Sequence, residues 1–212
     1  MDARCFTVGP VAENAWIARR DGAGEALLID PGDEFERLQQ AVEALGVTVE
    51  AILITHCHFD HIGAVAAMAR ETGAPVYCPQ GEVPMLRDPN SYTWPGFGPF
   101  EGYEPEETVS GGERLELAGF AIDVIATPGH SPAHVTYSIA GEGAIFSGDV
   151  LFAGSVGRTD LPGADHATLL DSIATLLDTL PDETRVLPGH MGTTTLGRER
   201  ATNPFLRELA AR

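Results

Sequence analysis

Residues 55–63 read THCHFDHIG and follow the apolar run AILI at 51–54. Three histidines and an aspartate fall within six residues, so titratable groups crowd the end of what reads as a buried strand. In extended chain, alternate side chains leave the same face. His56 and His58 therefore point together, and Asp60 and His61 follow where the next helix begins. Imidazole and carboxylate donors suit zinc and related divalent ions. Clustered imidazoles repel when protonated and are poorly solvated when buried; a metal ion relieves both costs. Asp60 has a second reading, as N-cap of a helix over 61–70. Cys57, between two candidate ligands, points to the opposite face and reads as packing.

Three more donors share this setting. His130 ends TPGH, His190 ends LPGH and Asp149 ends FSGD, each in a glycine turn just past an apolar strand. Donors at strand ends gather along one edge of the sheets. Seven of them are too many for one tetrahedral ion and suit two. His134 opens the strand HVTYSIA; it can back a ligand, but a plain strand residue is the preferred reading. His166 sits in the first turn of a helix behind Asp165, which can cap it, and reads as exposed.

Around these motifs, CFTV, AWIA and ALLID read as antiparallel strands separated by turn residues. A helix is predicted over 31–45, with Phe35, Leu38, Val42 and Leu45 at helical spacing and Gly46 as its stop. HIGAVAAMARETG returns to helix and PVYC to strand. Residues 79–108, rich in Pro, Gly and aromatics, read either as a long functional loop or as a packed surface excursion with a short helix. Its apolar portion, 83–103, either pairs subunits or covers the pocket. RLEL, FAIDVIA, HVTYSIA and AIFSG are strands. Leu169, Leu170, Ile173, Leu176, Leu177 and Leu180 form one helical stripe. RVLPGH supplies a last strand, and LGRERATNPFLRELAAR closes as helix. The pattern predicts two sheets covered by helices in one domain, residues 1–212.

The 212 residues carry a net charge of -18, which disfavours nucleic acid and anionic membranes as partners. Every basic residue is arginine, so no lysine Schiff base is available. Three scattered cysteines make no disulfide framework. The N-terminus lacks a signal pattern and no apolar stretch reaches about 18 residues. A cytoplasmic location is expected; the sequence carries no sign of oligomeric state.

THCHFDHIG, TPGHSPAH, FSGDVLF and LPGH, in that order and spacing, resemble the metallo-β-lactamase-fold hydrolases, and within them the small glyoxalase II-like proteins. The resemblance extends from GPVAENAW and LLIDPGDE to TNPFL. It implies a four-layer αββα sandwich, an α/β (α+β) fold, with two divalent metal ions at one edge: zinc first, with iron or manganese also accepted. By motif, His56, His58 and His130 would hold the first ion; Asp60, His61 and His190 the second; Asp149 would bridge. The implied reaction is hydrolysis of a small-molecule thioester, such as an acylglutathione, or a related ester by a metal-bridging hydroxide, with Asp60 orienting it or relaying its proton.

Two departures bear on substrate. In the similar two-domain glyoxalase II enzymes a lysine and a tyrosine just after the bridging-aspartate motif contact glutathione; this chain has Arg158 and Asp160 there. Arg158 can grip a carboxylate or pair internally with Asp160 or Asp165, whereas Asp160 repels one. GRTD also occurs in the related persulfide dioxygenases, which hold one iron through positions matching His56, His130 and Asp149. That is the alternative reading; a metal-stabilised interaction module without turnover is the third.

Overall fold

A computed structural model describes residues 1–207 and 209. The first half runs β1 (Asp2–Val8), β2 (Glu13–Arg19), β3 (Glu25–Ile29), α1 (Phe35–Leu45), β4 (Thr48–Leu53), α2 (Phe59–Ile62), α3 (Val65–Thr72), β5 (Val76–Pro79), α4 (Val83–Arg87) and β6 (Glu107–Val109). The second runs β7 (Arg114–Leu117), β8 (Phe120–Ala126), β9 (Val135–Ile139), β10 (Ala144–Gly148), β11 (Leu151–Phe152), β12 (Ser155–Val156), α5 (His166–Thr179), β13 (Arg185–Pro188), β14 (Thr194–Thr195) and α6 (Leu196–Thr202).

The strands form two six-stranded sheets, ordered β1-β2-β3-β4-β5-β6 and β14-β13-β10-β9-β8-β7. The pairs β3–β4, β4–β5, β5–β6 and β10–β13 are parallel. Parallel neighbours need a crossover, and α1, the α2–α3 pair and α5 lie in three of those connections.

Side-chain alternation turns the sheets into layers. Trp16, Ala18, Leu27, Ile29, Ala51 and Leu53 of the first sheet meet Phe120, Ile122, Val124, Tyr137, Phe146 and Leu187 of the second in a buried inter-sheet core. The intervening residues Ile17, Leu28 and Ile52 face the other way, packing with Leu38 of α1 and Val65 and Met68 of α3. On the far side, Ile145 and Val186 pack with the α5 stripe Leu169, Leu170, Ile173, Leu176 and Leu177, and with Leu196 of α6. Three apolar layers between four structural ones make the αββα sandwich.

Two expectations change. The helix foreseen from His61 is two helices: the chain breaks at Gly63–Ala64, which lets α2 serve the site while α3 packs on the sheet. The closing helix stops at Thr202, with Asn203 extended and capping a 3-10 turn over Pro204–Leu206. Residues 208 and 210–212 of that predicted helix lie outside the described residues. Residues 79–108 hold the short helix α4 and two 3-10 turns, as the reading of a packed excursion with a short helix expects.

Candidate metal centre and its pocket

The donors foreseen in sequence stand just past strands or in the helix that follows one. His56 follows β4, His130 follows β8, Asp149 follows β10 and His190 follows β13. Asp60 and His61 lie within α2. Asp60 is therefore not an N-cap; His58 occupies that position, without a side-chain cap bond.

The seven groups converge. His58 Nδ1 lies 3.1 Å from His56 Nε2 and 2.9 Å from His130 Nε2. His190 Nε2 is 3.2 Å from Asp60 Oδ2, and His61 Nε2 is 3.9 Å from the same oxygen. Asp149 stands between these sets: Oδ2 is 3.5 Å from both His130 and His190 Nε2, and Oδ1 is 3.4 Å from His61 Nε2. His58, Asp60, His130, Asp149 and His190 face a pocket of about 900 Å³, while His56 and His61 are fully buried.

The far side of the imidazoles is anchored. Thr55 Oγ1 donates to Asp30 Oδ2 at 2.7 Å, so toward His56 Nδ1, 3.1 Å away, it must accept. That puts the His56 proton on Nδ1 and leaves the Nε2 lone pair facing the cluster. Asp30 Oδ2 also lies 3.1 Å from His61 Nδ1, and its Oδ1 accepts from the Thr55 N–H at 2.7 Å. His130 Nδ1 donates to the Arg158 carbonyl at 2.8 Å. Metal-binding histidines are typically oriented in this way, through the other ring nitrogen.

Electrostatics set the groups apart. Burial, then the neighbouring imidazoles, pushes His56 well below the ordinary histidine value; burial and His130 bring His58 down to about 4. Burial also opposes charge on His61, but Asp149 and Asp60 outweigh it and raise that imidazole well above the ordinary value. Burial would raise Asp149, yet His61 prevails and its carboxyl falls below the carboxylate range.

A cation fits this donor set. His61 Nε2 and Asp149 Oδ1 are buried, and neither has a hydrogen-bond partner among the described residues; an orphaned buried pair of this kind is otherwise costly. A Cβ added to Gly189 would press against both Asp149 Oδ1 and His61, so that turn leaves the donors their room.

Several neighbours lay beyond the sequence reading. His134 is no plain strand residue: it is fully buried, and its Nε2 accepts the Asp149 N–H at 3.1 Å while Nδ1 meets Thr127 Oγ1 at 3.0 Å. Glu13 is fully buried, 3.8 Å from His61 Nδ1, with neither oxygen hydrogen-bonded among the described residues; burial raises its carboxyl well above the usual range. Asn14 donates to the Pro188 and Met191 carbonyls on either side of His190, and Trp16 Nε1 also donates to Pro188. A charged or amide residue at the head of an otherwise apolar strand, as in AEN, was the available signal. Cys57 packs in the core as foreseen, its sulfur 3.6 Å from that of Cys78. His166 is exposed, and Asp165 caps α5 by accepting the Thr168 N–H. Arg158 lines the pocket and pairs with Asp160 rather than Asp165.

Fold and site together define a metal-binding αββα protein with its donors gathered along one edge of the two sheets. The chain belongs to the metallo-β-lactamase superfamily, whose family model matches residues 8–190. It is 39% identical to the probable metallo-hydrolase YqgX of Bacillus subtilis, covering 97% of this chain and 98% of the relative. It is 36% identical to the hydroxyacylglutathione hydrolase GloC of Haemophilus influenzae, covering 88% and 89%. Among solved structures, the B3 metallo-β-lactamase BLEG-1 is 40% identical with a TM-score of 0.91, over 97% of this chain and 99% of that one. TTHA1623 in a di-iron-bound form is 44% identical with a TM-score of 0.85, over 96% and 100%. Among the described residues no helix is long and apolar enough to cross a membrane.

Proposed function

We propose that this protein is a metal-dependent hydrolase of a small-molecule thioester, of the acylglutathione type, or of a related ester. The observation that carries the reading is the convergence of seven imidazole and carboxylate donors, five of them facing one pocket. A relative named as a hydroxyacylglutathione hydrolase supports the thioester. His56, His58 and His130 would hold one ion, and Asp60, His61 and His190 a second, with Asp149 shared. When bound, such ions supply Lewis acidity and bring the pKa of a held water toward ~7. Zinc is the proposed metal; the di-iron relative makes iron the competitor.

Asp60 is the proposed catalytic group. Its carboxylate faces the pocket, within hydrogen-bond reach of His190. There it orients the attacking water and takes its proton as oxygen adds to the substrate carbonyl. Arg158, at the pocket wall, is the proposed substrate contact. Metal analysis with a thioesterase assay tests the reading: about two zinc ions per chain and thioester cleavage, lost in His56→Ala and Asp149→Ala, are expected. Undiminished cleavage in either variant rejects the site. One iron per chain with oxygen uptake on a glutathione persulfide replaces hydrolysis with dioxygenation.

A further inference from the structure

The pocket walls include Met85, Tyr92, Trp94, Phe152, Val156 and Leu161. Arg158 is the one arginine among the described residues that line it, and the chain has no lysine. That guanidinium is already engaged on two sides. Its Nε and Nη2 donate to the two carboxylate oxygens of Asp160 at 2.7 and 2.8 Å. Its Cζ lies 5.2 Å from the ring centre of Trp94, within cation–π range. The planar fork is the feature by which arginine receives a substrate carboxylate, and Asp160 occupies its Nε/Nη2 edge. A net charge of -18 further disfavours an anionic ligand.

Resting on the hydrolase reading of this site but turning it away from the acylglutathione type, we propose that the preferred substrate is an uncharged thioester with an apolar or aromatic body. Asp160 is its specificity-determining residue: it keeps Arg158 laid on Trp94 and withholds the Nε/Nη2 edge of the guanidinium from substrate carboxylates. Discrimination of this kind works against the wrong ligand as much as for the right one. The pair is exposed, so releasing Arg158 changes the selectivity by only about three- to fivefold.

The test compares one aromatic acyl group carried on neutral N-acetylcysteamine and on glutathione, with metal-loaded wild type and Asp160→Asn. Wild type is expected to show the higher kcat/KM on the neutral thioester. Asp160→Asn narrows the gap about three- to fivefold through a lower KM for the glutathione thioester. Wild-type preference for the glutathione thioester, or an unchanged KM ratio in the variant, overturns the proposal. Failure to cleave either compound sinks the hydrolase reading instead. Ligand choice is then read by binding S-benzyl-N-acetylcysteamine and S-benzylglutathione, followed by tryptophan fluorescence with Trp94→Phe as the blank for Trp16. Tighter binding of the neutral thioether supports the proposal; equal or weaker binding overturns it.

Discussion

Asp30 does not line the pocket, yet two of its neighbours depend on it. It accepts from Thr55 through both oxygens and meets His61 Nδ1, so it orients His61 directly and His56 through Thr55. Asp30→Ala is expected to weaken metal binding by roughly 10- to 100-fold, measured by competition with a chromophoric chelator; affinity within twofold of wild type would remove Asp30 from the site. The cysteines give a second check. Burial and each other's proximity hold Cys57 well above the ordinary thiol value beside buried Cys78, whereas Cys5 is exposed. Iodoacetamide at pH 8 should label Cys5 alone in the folded protein and all three after denaturation, counted by mass spectrometry. The seven converging groups were legible in sequence because five stand past strand ends, in the histidine-rich motif or in glycine turns, and Asp60 and His61 open the helix that follows that motif. His134, Glu13 and Asp30 were not, since their partners lie on other strands and no local spacing announces them.

At the scale of elements, the His130 turn shows how a helix aims a donor. The Asp165 N–H, at the head of α5, donates to the Gly129 carbonyl at 2.8 Å. Gly129 has φ +133 and packs so tightly on Leu169 that a Cβ would meet that residue's backbone. Gly129→Ala therefore combines backbone strain with a clash, and should cost about 2 kcal/mol or more of stability while displacing His130. Denaturant unfolding measures the first effect and metal stoichiometry the second; a fully stable, fully loaded variant would refute the coupling. Residues 79–108 illustrate the opposite relation. Phe59, between His58 and Asp60, has ring centroids 4.7 Å from Phe97, 5.8 Å from Phe100 and 6.1 Å from Trp94. The segment thus docks on the donor motif itself and contributes Met85, Tyr92 and Trp94 to the pocket wall. Its composition signalled a packed excursion, but aromatics without a period carry no direction, so the partner ring was not legible.

Across the whole molecule, the layering was legible because strand alternation and the α5 stripe each name a buried face. Strand order was not, since it depends on which crossovers return beside their starting strand. The assembled fold also holds imidazoles of opposite character, and this fixes a pH dependence for the metal-free protein. Burial first, and neighbouring imidazoles next, depress His56, His58 and His134, with His58 at about 4. Unfolding returns them to about 6.5. From pH 6.5 down to about 4 the unfolded chain therefore takes up protons that the fold refuses, and stability falls with pH. His61 and His190 are raised despite burial, by Asp149 and Asp60. Their contribution is complete below pH 6.5 and is lost as pH rises through their folded values. The metal-free protein should thus be most stable near pH 6.5, with Tm declining on both sides, as followed by calorimetry from pH 4 to 9 after chelation. Metal requires deprotonated donors, so the loaded protein should escape the alkaline decline, and its advantage over the metal-free form should shrink on acidification. A metal-free Tm that climbs steadily from pH 5 to 9 would mean that the two sets of histidines are not held apart in this way.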